Sequence, residues 1–562
     1  MRFLTSLSWQ KHTPGERPAT IIDVNEPTET TEPRRRGQEY RGARAATNSL
    51  VTAAGVVCVL LIALVTTPIS LSHLGLVEFG IWSFVTVTVG YISTLDPGFG
   101  NMVVRYGARG RIEGDHLIGA RITTVGTLAW LAIGAAGLPI VVAIVHPLMH
   151  HLNYSPGVQI AAERFFYWTY ALVFFGSILA TLSSRLVAVG EQWIITVIDV
   201  VSRLIYAVLL IVLLVHGMRL SAIVIATSVQ YAVSYIATLI VIILRHGAPY
   251  ASPRGITPEI RKELRRVSGW FQLNSILETL TYETDPIVIS TLVSPAATGL
   301  WSIAQRLARQ ITYFGYIPNG NLLPTISAAV AADEGLDGLR RIYVRANRII
   351  VLIGVVMAGL VMALGPVLLT AWLDRPFLSA STATILIALG MVAGTPRPAT
   401  AAAIFAIGKV GLGTRAQLVA FLVNVILTLA LVKPFGLNGV LVGTLCAKVC
   451  ATSYLLMRFS RMVESTARVL ILPWISRVVL IGAAATVSTR LLMDRWEWAL
   501  DSRWHALGGA TALSLLFGLI ALTAIRLTKY FSREDLLWLR GAMPSPIRRC
   551  FTDRAIRLLS GA

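Results

Sequence analysis

The residues with chemistry to offer sit where an apolar chain should have none. Between Ser268 and Val330 two apolar stretches carry Glu278, Glu283 and Asp285 ahead of Pro286, then Gln305, Arg306 and Arg309. A Ser-Pro-Ala-Ala-Thr-Gly turn from Ser294 to Gly299 joins them. Ionisable groups at membrane depth are costly and face a protein interior or a water-filled path. Arginine suits a phosphorylated cargo, because its planar fork donates two parallel bonds and stays protonated. Further bases at depth are Arg203, Arg397 and Lys448, while Arg105 and Arg121 stand nearer the cytoplasmic mouth. Each has a plainer reading. Arg306 and Glu283 lie at similar depth and can pair; Arg203 has Asp199 one turn before it. Arg397 stands between Pro396 and Pro398, which should break its helix. Glu278 and Asp285 share a helix face and Glu283 points elsewhere. A buried carboxyl can carry a proton or bind sodium. These three are the ion-coupling candidates, with static counter-ions as the alternative. No catalytic residue, metal or cofactor is assigned beyond a coupling H⁺ or Na⁺.

The elements that hold these residues are membrane helices. Of 562 residues, 55% are hydrophobic and only 14% charged, and the mean hydropathy is +0.68. That excludes an ordinary soluble domain. The net charge of +20 reflects basic cytoplasmic loops rather than nucleic-acid binding. Apolar stretches predict about fourteen spans: 48–71, 79–95, 118–145, 163–187, 192–215, 220–244, 268–292, 299–324, 349–370, 380–407, 414–432, 437–457, 470–492 and 507–526. Arginine and lysine collect in alternate loops, which places both termini in the cytoplasm of a multi-pass cell-membrane protein. Cys58, Cys446 and Cys450 read as packing residues inside helices.

The chain also repeats itself. Gly80-Ile81-Trp82-Ser83 stands against Gly299-Leu300-Trp301-Ser302, and Thr66-Thr67-Pro68-Ile69 against Thr284-Asp285-Pro286-Ile287. Ala188-Val189-Gly190 matches Ala406-Ile407-Gly408, and His216-Gly217-Met218 matches Phe435-Gly436-Leu437, all at nearly one offset. The expected architecture is all-α: two parallel six-helix lobes around a central cavity, plus two appended helices. The segments are a disordered basic tail (1–46), a first lobe (47–245), a cytoplasmic linker (246–267), a second lobe (268–458), helices 13 and 14 (459–527), and a basic amphipathic tail (528–562).

Leu74-Gly75, Glu78-Phe79-Gly80-Ile81-Trp82, and Leu95-Asp96-Pro97-Gly98-Phe99-Gly100 with Arg105 beyond resemble the opening of polysaccharide-exporting flippases. Asp285-Pro286-Ile287-Val288-Ile289, Asn424 and Phe435-Gly436-Leu437-Asn438-Gly439-Val440 extend the likeness. The chain resembles the Wzx-like members of the multidrug/oligosaccharidyl-lipid/polysaccharide exporter superfamily. The resemblance implies a V-shaped cavity between lobes and a flippase, not an enzyme. It would carry polyprenyl-pyrophosphate-linked oligosaccharide to the outer leaflet by alternating access. Basic cavity residues would receive the pyrophosphate, here Arg105, Arg306, Arg309, Arg203, Arg397 and Lys448.

A drug or cation exporter of the same superfamily is the alternative, although its cavity should be acidic or aromatic. A polyprenyl-dependent glycosyltransferase or polymerase is a further one, but the short outside loops lack the acidic or Arg/His equipment. His146, His150 and His151 cluster at an outside helix end, and with no Cys or carboxylate to complete a set they read as an interfacial cluster. The C-terminal tail mixes Trp538, Leu539, Ile547 and Phe551 with arginines, suiting a helix on anionic inner-leaflet lipids. Docking of polymerase or chain-length machinery is its other reading.

Overall fold

The computed structural model describes residues 31–91, 99–113, 115, 117–151, 156–255, 276–316, 335–374, 379–406, 411–463, 472–532 and 534–537. Helices are the only repetitive structure among them, as expected of apolar segments that must satisfy their backbone internally in lipid. In chain order they are α1 (Thr31–Gly90), α2 (Phe99–Glu113), α3 (Ile118–His151), α4 (Pro156–Ala188), α5 (Gln192–Val215), α6 (Leu220–His246) and α7 (Asp285–Leu292). There follow α8 (Pro295–Tyr316), α9 (Gly335–Leu373), α10 (Ser379–Gly394), α11 (Arg397–Ala406), α12 (Gly411–Met462), α13 (Leu472–Met493) and α14 (Arg503–Leu527). Among the described residues nine helices are long and apolar enough to cross a membrane.

The expected spans do not map onto these helices one for one, because two of the long helices are hairpins. In α1 the one non-helical residue is Gly75, at φ 72°. Thr67 and Trp82 would lie about 22 Å apart on a straight helix. Both reach Arg306, which donates to Thr67 Oγ1 at 3.2 Å and lies 4.9 Å from the Trp82 ring centre. The chain therefore folds back at Gly75, and the expected loop from Ser72 to Glu78 contracts to a single left-handed glycine. Arg219, between α5 and α6, clamps this turn through a 2.8 Å ion pair with buried Glu78. The second hairpin is α12, which turns at Gly436 (φ 54°) and brings Asn424 Nδ2 to 2.9 Å from Thr444 Oγ1.

Other expected spans are broken. Residues 276–282 are helical, 283 and 284 are not, and a new helix starts at Asp285. Pro286 explains the break: it has no N–H to donate to the Tyr282 carbonyl and its ring crowds that carbonyl, whereas it is well placed in the first turn of a new helix. Glu278 and Asp285 thus do not share one continuous helix face, contrary to the expectation from spacing. The prolines around Arg397 act as expected, separating α10 from α11 by a turn at 395–396.

Two groups of helices pack separately. In the first lobe α1 packs on α4 and α5, α2 joins α3 and α4, and α6 lies on α4 and α5. Its core holds Phe84, Trp130, Phe165, Phe166, Tyr170 and Leu210. In the second, α8 and α12 pack on α10 around Ile289, Trp301, Val361 and Leu441. The lobes meet where α1 lies against α7 and α8. Helices α13 and α14 pack on each other and on α9, in the manner of an appended pair.

Several expected loops are helical. Helix α2 occupies most of the expected loop between the second and third spans. Helix α3 reaches His151 and α4 begins at Pro156, leaving little of the outside loop anticipated from His146 to Ala162. Helix α1 begins at Thr31, inside the tail expected to be disordered. The rest of that tail (1–30), most of the linker (256–267) and residues 538–562 of the amphipathic tail lie outside the described residues, as does Cys550.

Beyond α14 a clasp returns the chain to α9. Arg348 pairs with Asp535 at 2.8 Å, Arg345 with Glu534 at 3.2 Å, and the Tyr530 hydroxyl donates to the Arg348 carbonyl at 2.9 Å. Burial pushes the Tyr530 hydroxyl above its usual range. Ser532 and Asp535 bond each other's backbone N–H at 3.1 Å, a reciprocal cap that opens a helical turn at 534–537.

Candidate substrate site at the seam between lobes

The seam joins residues that the repeat makes equivalent. Ser83 donates to Ser302 at 2.6 Å across 219 residues, the offset of the repeat. The neighbouring contacts are reciprocal. A Cβ on Gly80 would lie 2.0 Å from the Pro295 carbonyl oxygen, and one on Gly299 2.6 Å from that of Leu76. Both separations are impossible for any larger residue, so the Gly-x-Trp-Ser motifs place two glycines where helices touch backbone to backbone. A pair that touches its own repeat partner lies on the pseudo-twofold axis, which therefore runs between Ser83 and Ser302.

Arg306 lies one turn along α8 from Ser302. Its guanidinium carbon is 5.1 Å from the Phe79 ring centre and 4.9 Å from that of Trp82, both on α1, in cation–π geometry. The two rings meet edge to face at 5.4 Å. The expected pairing of Arg306 with Glu283 is not formed. Glu283 pairs with Arg309 at 3.6 Å instead, with both side chains well exposed. Residues three apart on a helix are turned by about 60°, so Arg309 faces the break before α7, where Glu283 stands, while Arg306 faces the other lobe. Among the described ion pairs none includes Arg306.

A second polar cluster lies within the second lobe. Arg397 opens α11 and donates to the Tyr282 hydroxyl at 3.1 Å and to Gln417 Oε1, with Glu278 at 3.6 Å. Lys448 stands 5.3 Å from the centre of the same Tyr282 ring. Asp285 is buried and accepts from Thr444 Oγ1 at 2.7 Å, and Asn424 donates to that Thr444 oxygen. A carboxylate, a hydroxyl and an amide thus converge from α7 and both arms of α12.

Three of the expected bases lie elsewhere. Arg203 holds Asp199 through its Nε at 2.9 and 3.0 Å, the self-contained i,i+4 pair allowed for above. Arg105 is exposed on α2, over Tyr106 at 5.7 Å. Arg121 pairs with Asp115 at 2.8 Å. Sequence reasoning missed Thr67, Phe79, Trp82, Tyr282, Gln417 and Thr444. The signal for Thr67 and Trp82 was that they belong to the repeated motifs, and Phe79 directly precedes one of them.

Two lobes joined by parallel repeats, with charge at the seam, define a multi-pass membrane transporter fold. A family model described as "Polysaccharide biosynthesis protein" matches residues 45–330. The chain belongs to that family. Among solved structures it is similar to the lipid II flippase MurJ in an inward closed conformation, at 14% identity and a TM-score of 0.60, covering 84% of this chain and 98% of that one. An inward-facing multidrug resistance MATE transporter of the MOP superfamily matches at 16% identity and TM-score 0.59, covering 72% and 94%. A point mutant of the Vibrio cholerae MATE transporter VcmN matches at 15% identity and TM-score 0.54, covering 75% and 97%. No curated protein matches the sequence.

Proposed function

We propose that this chain flips a polyprenyl-pyrophosphate-linked oligosaccharide from the cytoplasmic to the outer leaflet of the cell membrane, for assembly of a surface polysaccharide. The observation that carries the reading is Arg306, a guanidinium at the contact between lobes that is held by ring faces and a hydroxyl rather than a carboxylate. A pyrophosphate pays several kcal/mol per charge to leave water. An arginine not already neutralised offsets that cost with two charge-assisted bonds, and its aromatic contacts hold it ready without competing for them. Arg105, exposed on α2, suits the loading of the head group, and Arg309 is a second donor once Glu283 is displaced. Rocking one lobe against the other would part the seam, the Ser83–Ser302 contact included, and open it to alternate sides. Asp285, with Thr444 and Asn424, is the candidate to exchange H⁺ or Na⁺ as the empty carrier returns. The basic tails would rest on anionic inner-leaflet lipids or on the polymerase and chain-length machinery.

The test is flipping of a fluorescent lipid-linked oligosaccharide in proteoliposomes. Arg306→Gln should slow it by about tenfold or more, the loss of one charge-assisted contact of about 1.5–3 kcal/mol, and Arg306→Lys should lie between. If neutral substitutions at Arg306, Arg309 and Arg105 together leave flipping intact in stably inserted protein, the reading fails. Export of organic cations by that variant would favour the drug-exporter alternative.

A further inference from the structure

We propose that the paired ends of α3 and α4 form a transition-metal site of His146, His150 and Glu163, on the side that the arginine pattern places outside. The sequence offers His146 and His150 one turn apart, and the structure supplies a third donor from the next helix. Glu163 Oε1 stands 3.0 Å from His146 Nδ1, 17 residues away along the chain. One ligand atom from each of the three residues lies within 4.8 Å of the others. This corrects the expectation that no carboxylate completes the set: Glu163 sits on α4, and only the packing of α4 against α3 brings it to the histidines.

The donor types choose the ion. Two imidazoles and one carboxylate suit Zn²⁺ and its neighbours in the first transition row, whereas Mg²⁺ and Ca²⁺ prefer all-oxygen cages. With metal–ligand bonds of about 2.0–2.1 Å, tetrahedral donors stand roughly 3.3 Å apart. His146 and Glu163 already have nearly that spacing. His150 must swing its ring inward, and its freedom to do so is plain, since the residue is exposed and its ring touches His146 edge to face at 4.5 Å. Helical i,i+4 spacing sets both rings on one face, the arrangement that other helical zinc sites use. Glu163 is largely covered, with 20% of its side chain exposed against 64% for His146. The carboxylate would anchor the ion and the rings would close over it. Three protein donors leave a fourth position for water or an outside ligand. The bound ion would tie α3 to α4 at the rim of the first lobe.

The experiment uses the full chain, purified without a histidine tag and kept in lipid nanodiscs, titrated calorimetrically with Zn²⁺ and separately with Mg²⁺. We expect one Zn²⁺ per chain in the micromolar range or tighter, no Mg²⁺ heat, and a higher unfolding temperature with Zn²⁺ present. Glu163→Gln, His146→Ala and His150→Ala should each weaken Zn²⁺ by about tenfold or more and abolish the thermal shift. All three positions are at the helix rim, so gel filtration and helical content should match the unaltered chain. The proposal is overturned if Zn²⁺ gives no saturable binding below about 100 µM. It is equally overturned if the variants bind as the parent does, which would leave His146 and Glu163 an ion pair only.

Discussion

Arg306 and Arg309 are three residues apart, yet their surroundings assign them different work. Arg309 has a carboxylate beside it at 3.6 Å, so its charge is already shared with Glu283. Arg306 has aromatic faces and a threonine, and no carboxylate among the described residues pairs with it. The i,i+4 pair of Arg203 and Asp199 was legible from spacing alone, because both partners lie on one helix. The neighbours of Arg306 were not, because they come from the other lobe, and a local pattern carries no information about a contact 239 residues away. Asp285 and its partner Thr444 share a lobe but lie 159 residues apart, so spacing was equally silent about them. Asp285→Asn keeps the shape of that contact and removes the charge. Flipping by this variant should no longer respond to an imposed H⁺ or Na⁺ gradient, while slower gradient-independent flipping persists. A response equal to the parent's rejects a coupling role for Asp285.

At the scale of the element, hydropathy found the spans but misjudged how they join. A window that averages apolar content sees Ser72 to Glu78 as a gap, whereas the backbone keeps helical hydrogen bonds almost through it and reverses at Gly75. Glycine is what permits this, since φ 72° with ψ 173° is a backbone region open essentially to glycine alone, where a residue with a Cβ pays about 1–3 kcal/mol. Nothing stands within 4 Å of a Cβ built on Gly75, so backbone strain is the whole cost there. Gly75→Ala should therefore lower stability by about 1–3 kcal/mol, read as a lower unfolding temperature in detergent, with assembly intact. The break before Asp285 was announced by Pro286, but its effect on which carboxylates share a face follows only once the helix is seen to restart.

For the whole molecule, the internal repeat was the most informative sequence feature, and the structure turns it into an axis. Ser83 and Ser302 are equivalent in the repeat and hydrogen-bonded in space. If the lobes must part here during transport, fastening this point should stop the cycle. With Ser83→Cys and Ser302→Cys together, mild oxidation should give an intramolecular disulfide, since the two side chains meet within bonding reach. Flipping should cease on oxidation and return with reductant. Full activity of the oxidised protein, with the cross-link verified by mass spectrometry, would mean that the lobes do not separate at this point.

Gly80 against Pro295 and Gly299 against Leu76 are one contact made twice, in the two senses that a twofold rotation exchanges. A surface that fits a rotated copy of itself is what a symmetric dimer uses. The two halves of this chain meet through the same Gly-x-Trp-Ser patch, as two copies in such a dimer would, yet the junction is unequal beyond it: rings stand on one side and a guanidinium on the other.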